Sequence, residues 1–398
     1  MHPMNTRAPR VSRLRRAVRT LSLVLALAVF ASACNEGDPN VFVFAKKPFN
    51  EWTSEGQHWD FMNENYESMV VWEPYWDNRL DDFSDAVVYR DAYAMKVDPE
   101  KDSRFTEHPE WVLRDSAGNP TYIPFGCSNG CPQYAADLGN PEFVADWIAG
   151  VQEFVDRGYT GLYIDDVNLI WRVGDVNGNP VIPIDPQTGA PMTQGVWRSN
   201  VVEFVETVRE AFPDIQIWHN AIWYADSPEL GNSKIRRQIE AADVIHLERG
   251  MNDPGLKAGT SKFGMQTFMA YIDRVHELGA NVALLDTHAD TLDEQWFNLA
   301  GYFLINDGND LISTESWDLV SPDNFFAGFD IDIGHAMGPR EVVDATIQRE
   351  FTDGLVIMNE PRADQVTVEL DQTWKRQDGT SVSSVTLDGG EAIVLMRP

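Results

Sequence analysis

From residue 41 onward, short runs of apolar, β-branched and aromatic residues recur, nearly all of them closing on a polar or acidic group. They cover 41–45, 68–72, 86–93, 161–165, 215–220, 243–247, 281–285 and 310–313. Most are near-continuous rather than alternating, which is the pattern of strands covered on both faces. Segments of three-to-four periodicity lie between several of them. Segment 141–157 opens on Pro141, puts Phe143, Trp147, Ile148, Val151, Phe154 and Val155 on one stripe, and stops at Gly158. Segments 196–212, 261–278 and 291–306 repeat the style, the last with Asp293 and Glu294 in its first turn. Strands alternating with helices predict an α/β protein with a parallel sheet, and eight such strands predict a (β/α)8 TIM barrel. A doubly wound open sheet is the alternative, weakened because no GxGxxG follows the first strand. Beyond residue 349 the runs 354–359, 365–370, 382–387 and 392–396 are separated by Glu360-Pro361, Asp378-Gly379 and Gly389-Gly390. That is turn chemistry, and it predicts a small C-terminal antiparallel β domain. The expected organisation is a leader 1–34, a linker 35–40, a barrel 41–338 and a β domain 339–398.

The leader has its own pattern. Six arginines (Arg7, Arg10, Arg13, Arg15, Arg16 and Arg19) precede an apolar run from Leu21 to Phe30, with no acidic residue before Glu36. This is the charged and apolar succession of a secretory signal. The run is too short for a membrane span of about 20 residues. It ends in Ala31-Ser32-Ala33-Cys34, which resembles the lipobox of bacterial lipoproteins and implies lipidation of Cys34. The expected location is then the cell envelope, with the membrane as a partner through the lipid; ordinary cleavage near Ala33 is the alternative. The remaining cysteines lie in Cys127-Ser-Asn-Gly-Cys131, a spacing that predicts a local disulfide in an oxidising compartment. Two cysteines alone are an incomplete metal site.

Composition narrows the function classes. The 398 residues include 62 acidic and 31 basic ones, a formal charge of −31. Without the six leader arginines, 25 basic groups face 62 acidic ones, giving −37. Such a charge argues against nucleic acid as a partner, because phosphate binding needs a basic face. At 43% hydrophobic and 23% charged the chain is not a mostly disordered one.

In a TIM barrel, catalytic groups project from the C-terminal ends of the strands. At those positions stand Trp72-Glu73, Tyr89-Arg90-Asp91, Asp165-Asp166-Val167-Asn168, Trp218-His219-Asn220 followed by Trp223, Glu248-Arg249, Asp286-Thr287-His288 and Thr314-Glu315-Ser316-Trp317. One such group is ordinarily a helix cap. Seven in the same position predict a site. Strand alternation puts Tyr163 and Asp165 on one face, with Leu162, Ile164 and Asp166 on the other. Two carboxylates among aromatic faces are the equipment of glycoside hydrolysis. Asp165 and Glu248 are therefore the catalytic candidates. Asp166, Asn168, Trp72, Glu73, Arg90, Asp91, Trp171, His219, Asn220, Trp223, Arg249 and Asp286 are the candidates for holding an oligosaccharide or polysaccharide. Trp52, Trp59 and Trp76 offer further ring faces. Two other readings stay open: a catalytically silent glycan-binding protein, and a metal-dependent hydrolase using Asp91, Asp165, Asp166 and His219. There is no HExxH, Walker loop or four-cysteine zinc pattern, and no cofactor is implied. Asp175-Val-Asn177-Gly-Asn179 starts like a calcium loop but meets Pro180 and Pro186 where that loop needs Gly and Glu.

A family resemblance follows from four motifs. They are His108-Pro-Glu-Trp-Val-Leu-Arg-Asp-Ser-Ala-Gly-Asn-Pro120, Asp137-Leu-Gly-Asn-Pro141, Gly161-Leu-Tyr-Ile-Asp-Asp166 and Glu350-Phe-Thr-Asp-Gly-Leu-Val-Ile-Met-Asn359. Together, from Val41 to the C-terminus, the chain resembles the bacterial glycosyl-hydrolase-like family 15. The Leu-Tyr-Ile-Asp-Asp motif is also similar to barrel families acting on alpha-linked galactose or galactosamine polymers. The resemblance implies a (β/α)8 catalytic domain with a C-terminal β domain, Asp165 as nucleophile candidate and Glu248 as acid/base candidate. A one-residue shift of register would exchange Asp165 with Asp166.

Overall fold

The computed structural model describes residues 41–46, 59–83, 85–223, 232–313 and 325–398. The predicted leader with Cys34, Trp52 and residues 314–317 lie outside them. The eight apolar runs become eight parallel strands: β1 (Phe42–Lys46), β2 (Ser68–Val71), β3 (Ala86–Asp91), β4 (Gly161–Asp165), β5 (Gln216–Asn220), β6 (Val244–Leu247), β7 (Asn281–Leu285) and β8 (Leu311–Ser313). Each pairs with its sequence neighbours among these eight, and β1 pairs with β8, so the sheet closes into a barrel. The closed parallel sheet excludes the doubly wound alternative.

Period-two alternation assigns every strand residue to the lumen or to the helices. Phe44, Val70, Val87, Tyr163, Trp218 and Ala283 form the luminal core. Phe44 meets Trp218 edge-on at 5.5 Å and His246 at 5.8 Å. Tyr163 Oη lies 3.1 Å from His246 Nδ1. Burial holds His246 well below the usual histidine range, so this core pair is uncharged. The outward residues Val43, Met69, Val88, Leu162, Ile164, Ile217 and Ile245 join the core formed with the helices.

The helices follow their sequence signals. In α2 (Pro141–Arg157), which follows the short α1 (Trp59–Asn65), the Asn140 side chain accepts from the Glu142 and Phe143 N–H groups, and Gly158 closes the helix at φ 105°. Its stripe of Phe143, Trp147, Val151 and Phe154 is buried. Thr193 caps α3 (Gln194–Ala211) and Asn232 caps α4 (Ser233–Glu240). After α5 (Met265–Glu277), a Thr291–Glu294 capping box starts α6 (Leu292–Ile305). Among the described residues no helix is long and apolar enough to cross a membrane.

The C-terminal strands β9 (Glu341–Val343), β10 (Thr346–Glu350), β11 (Gly354–Asn359), β12 (Val366–Lys375), β13 (Ser381–Leu387) and β14 (Ala392–Met396) form one sheet in the order β9-β10-β11-β14-β12-β13. One face (Ile347, Val356, Met358 and Val394) merges with the core of the barrel helices. The other buries Ile357, Val368, Trp374, Val385 and Leu395 among themselves. Strand β12 outruns the expected 365–370 because its ladder resumes after an irregularity, pairing buried Trp374 with Val382. The β9–β10 hairpin was not foreseen; β9 is exposed throughout and so has no apolar period to read.

Phe44 is wholly buried at the centre of the lumen. Phe44→Ala is expected to cost about 3–5 kcal/mol of stability, read from urea denaturation of the purified chain.

Candidate active site

Strand direction sends five polar groups and one indole to the same end of the barrel. Lys46 ends β1, Asp91 ends β3, Asp165 ends β4 and Asn220 ends β5, while Trp72 and Glu248 stand one residue past β2 and β6. All six line an open cavity of about 1150 Å³. Its wall also includes Asp166, Asn168, Trp223, Arg249, Thr287 and His288.

Asp165 is the best-anchored acid. Its Oδ2 accepts from the Tyr89 hydroxyl at 2.6 Å, and its Oδ1 accepts from Asn220 Nδ2 at 2.7 Å and from the Asp166 N–H at 2.8 Å. The same Asn220 nitrogen donates to Glu248 Oε2 at 2.7 Å. One amide thus ties the two carboxylates together, and the two oxygens it touches lie no farther apart than twice 2.7 Å. Lys46 Nζ lies 3.4 Å from the other Glu248 oxygen and 5.1 Å from the centre of the Tyr163 ring. Burial and the nearby Asp165 push the Tyr89 phenol far above its ordinary range, so it stays a donor. Tyr89 stacks against Trp72 at 4.8 Å and Tyr163 at 5.8 Å, a ladder of rings beside the carboxylates.

Two further acids crowd this floor. Asp91 sits opposite Asp165 in the β3–β4 register and accepts from the Tyr93 and Ala94 N–H groups. Burial, then the charges of Asp166 and Asp165, holds it well above the usual carboxylate range. Asp166 takes a left-handed backbone, φ 56°, and contacts Asn168 Nδ2 at 2.8 Å and Arg172 Nη1 at 3.3 Å. Burial and Asp165 push it up to about 7.

Several expected binding residues are elsewhere, and parity explains most of them. On β3, Tyr89 and Asp91 face the lumen, so Arg90 faces out; its guanidinium lies over the Trp147 and Phe154 rings at 5.1 and 5.7 Å, and burial lowers it to about 10. A Cβ on Gly150 would meet that guanidinium at 2.6 Å, so a larger residue there would displace the Arg90 head group. His219 faces out between inward Trp218 and Asn220; it pairs with Gln238 of α4, and burial pulls it down to about 3. The metal-ligand set with Asp91, Asp165 and Asp166 therefore does not converge, and the described residues contain no group of three or more His, Cys, Asp or Glu placed to hold a metal ion. Asp286 faces out and is fully buried, accepting from the Asn252 N–H, the Asn252 side chain and the His288 N–H. Gly250 leaves it room, since a Cβ there would fall 2.5 Å from Asp286 Cβ. Glu73 turns to Arg157 at 3.6 Å, and Trp171 is outside the cavity lining. Trp59 and Trp76 pack on each other at 5.7 Å. Asp175 accepts from Asn177 and Asn179 and closes a self-contained turn rather than a calcium loop.

The cavity also holds residues absent from the sequence-based site, Lys46 from the barrel and Phe125 and Gln133 from a long excursion between β3 and α2, and it takes in Tyr89, Thr287 and His288, which stand in the strand-end groups but not among the binding candidates. Lys46 and Tyr89 had a readable signal, because they share parity with Phe44 and Asp91. Cys127 and Cys131 are bonded in that excursion. The motifs behind the family resemblance are mostly framework here. Trp111 is buried, Asp115 closes a turn with Asn119, and Asn140 caps α2.

No family model and no curated protein matches this chain. The resemblance to glycosyl-hydrolase-like family 15 thus stands on the quoted residues alone. Solved structures do resemble it in fold, hydrolases among them. The trehalose-6-phosphate hydrolase TreA of Bacillus licheniformis is 11% identical with a TM-score of 0.53, over 90% of this chain and 99% of that one. The glycoside hydrolase domain of PelA from Pseudomonas aeruginosa is 14% identical with a TM-score of 0.42, over 70% and 96%. The Flavobacterium johnsoniae GH31 dextranase FjDex31A is 10% identical with a TM-score of 0.48, and this chain spans 51% of it. At these identities the likeness concerns the fold, and TreA carries it.

Burial pushes Asp286 from its ordinary 3.8 up to about 7. Between those values the folded chain holds a proton that the unfolded chain has released, so this contribution to stability is lost as pH rises through the window. His219, lowered on folding, works in the opposite direction but is common to both proteins compared. Asp286→Asn is expected to flatten the fall in stability between about pH 4 and 7 by up to roughly 4 kcal/mol. Urea denaturation of wild type and variant across that range reads the difference in slope; equal slopes would show that Asp286 titrates normally.

Proposed function

We propose that the chain is a glycoside hydrolase in which Asp165 is the nucleophile and Glu248 the general acid and base. The observation that carries this reading is the single Asn220 amide touching both carboxylates. It keeps their facing oxygens within the separation of about 5–5.5 Å characteristic of retaining enzymes. In the first step a free lone pair of Asp165 attacks the anomeric carbon. The bond to the leaving oxygen breaks, and that oxygen takes the proton of Glu248. In the second step water attacks the same carbon, gives its proton to Glu248 and releases Asp165. A carboxylate has roughly four acceptor sites. Three on Asp165 are filled by Tyr89, Asn220 and the Asp166 N–H, which fixes the group and leaves one for the sugar. Fixed donors around a carboxylate of this kind cost no reorganisation during reaction. The likeness in fold to barrel glycoside hydrolases supports the reading; Trp72 and Trp223 supply ring faces for the sugar.

Incubation with a panel of α- and β-linked polysaccharides tests it. Wild type is expected to release sugar, and Asp165→Asn and Glu248→Gln are each expected to lose at least about 10²–10⁴-fold in kcat while folding normally. Full activity in either variant would overturn the assignment. Affinity for a glycan without product from wild type would favour a silent binding protein.

The leader supports export and lipid attachment at Cys34 in the cell envelope. Expression of the full chain in a bacterium fed radiolabelled palmitate is expected to label the wild type and not Cys34→Ser. Label retained in the variant would place the lipid elsewhere.

A further inference from the structure

The excursion between β3 and α2 builds one wall of the cavity, and it carries an aromatic side chain that the fold does not bury. Phe125 is 65% exposed. Of the large hydrophobic side chains exposed among the described residues, it is the one that lines the cavity. A lone exposed apolar residue is ordinary on a protein surface. This one is held in place from several sides. The Phe125 N–H donates to Ile123 O at 2.8 Å, and the Ile123 N–H to Gln133 O at 3.0 Å. Gly126 then turns the chain at φ 68°, and the Cys127–Cys131 bond closes the turn. The Cys131 N–H donates to Val176 O at 2.9 Å, tying the turn to the Asp175 loop. Backbone ordering that binding would otherwise cost is already done by folding.

The surroundings suit a sugar. Pro132 and Ile123 continue the apolar wall, and Lys96 and Gln133 bring donors to the same wall. A pyranose has apolar C–H faces that lie well on the electron-rich face of a ring, with hydroxyls at its edge for polar partners. The cavity, at about 1150 Å³, is larger than the roughly 300–1,000 Å³ that single small ligands occupy.

We propose that Phe125 is a distal stacking platform, so that the cleft takes a glycan chain running from the Asp165–Glu248 floor to the disulfide-stapled wall rather than a mono- or disaccharide. The inference rests on the glycan reading of the cleft but not on turnover. Its test uses the Asp165→Asn protein, which leaves polymer intact, in native gels containing dextran, soluble starch, galactomannan or xylan. Retardation is expected in at least one gel. Adding Phe125→Ala is expected to weaken that affinity about 3- to 10-fold, and Phe125→Tyr to retain it. Retardation unaffected by Phe125→Ala, or no retardation in any of the four gels, would overturn the platform. Phe125-dependent retardation without sugar release by wild type would keep the platform and remove the hydrolase. Sugar release by wild type with no effect of Phe125→Ala on retardation would do the reverse.

Discussion

Eight strands cannot all send every side chain into one barrel, so parity rules this molecule. Each strand gives alternate residues to the lumen and the rest to the helices. Phe44, Tyr163 and Trp218 fill the lumen, and two residues further along the same strands stand Lys46, Asp165 and Asn220. The residue that packs the barrel and the residue that meets the ligand are therefore one period apart. Shifting any strand by one position would put its apolar partners in the lumen and its acid against a helix.

The Asn220 amide converts that architecture into a site. Asp165 and Glu248 come from β4 and from just past β6, and β5 lies between them in the sheet. A donor at the end of the middle strand can reach both neighbours, and Asn220 does so with the two hydrogens of one nitrogen. The separation of the carboxylates is set by strand spacing and one amide rather than by loops. Loops supply the walls instead, where length and composition vary more freely.

How far the sequence could be read follows from the same physics. The eight strands were legible because runs buried on both faces are apolar throughout, and the helices because their stripes and caps are local. Parity separates Tyr89 and Asp91 from Arg90, Trp72 from Glu73, and Asn220 from His219; applied beyond the fourth strand, it would have removed the outward residues and added Lys46. Trp171 lies past the end of β4, where parity has no hold. The wall around Phe125 has no period at all. It is backed by turns, in its own excursion and in the loop after β4, in which Asp115, Asp175 and Asp185 side chains accept backbone N–H groups. A signal for two of them was present, since Asp115-Ser-Ala-Gly-Asn-Pro120 and Asp175-Val-Asn-Gly-Asn-Pro180 share Asp, Gly, Asn and Pro at the same spacing.

Helix α6 is buried from Phe297 to Ile305, with the barrel on one side and β11 and β14 of the C-terminal sheet on the other. A helix with so little polar surface has no stable existence facing water. The last strand thus acts as a buttress: peeling it away would uncover the apolar back of a barrel helix. Loosening of the C-terminal sheet would therefore reach the barrel through this shared helix.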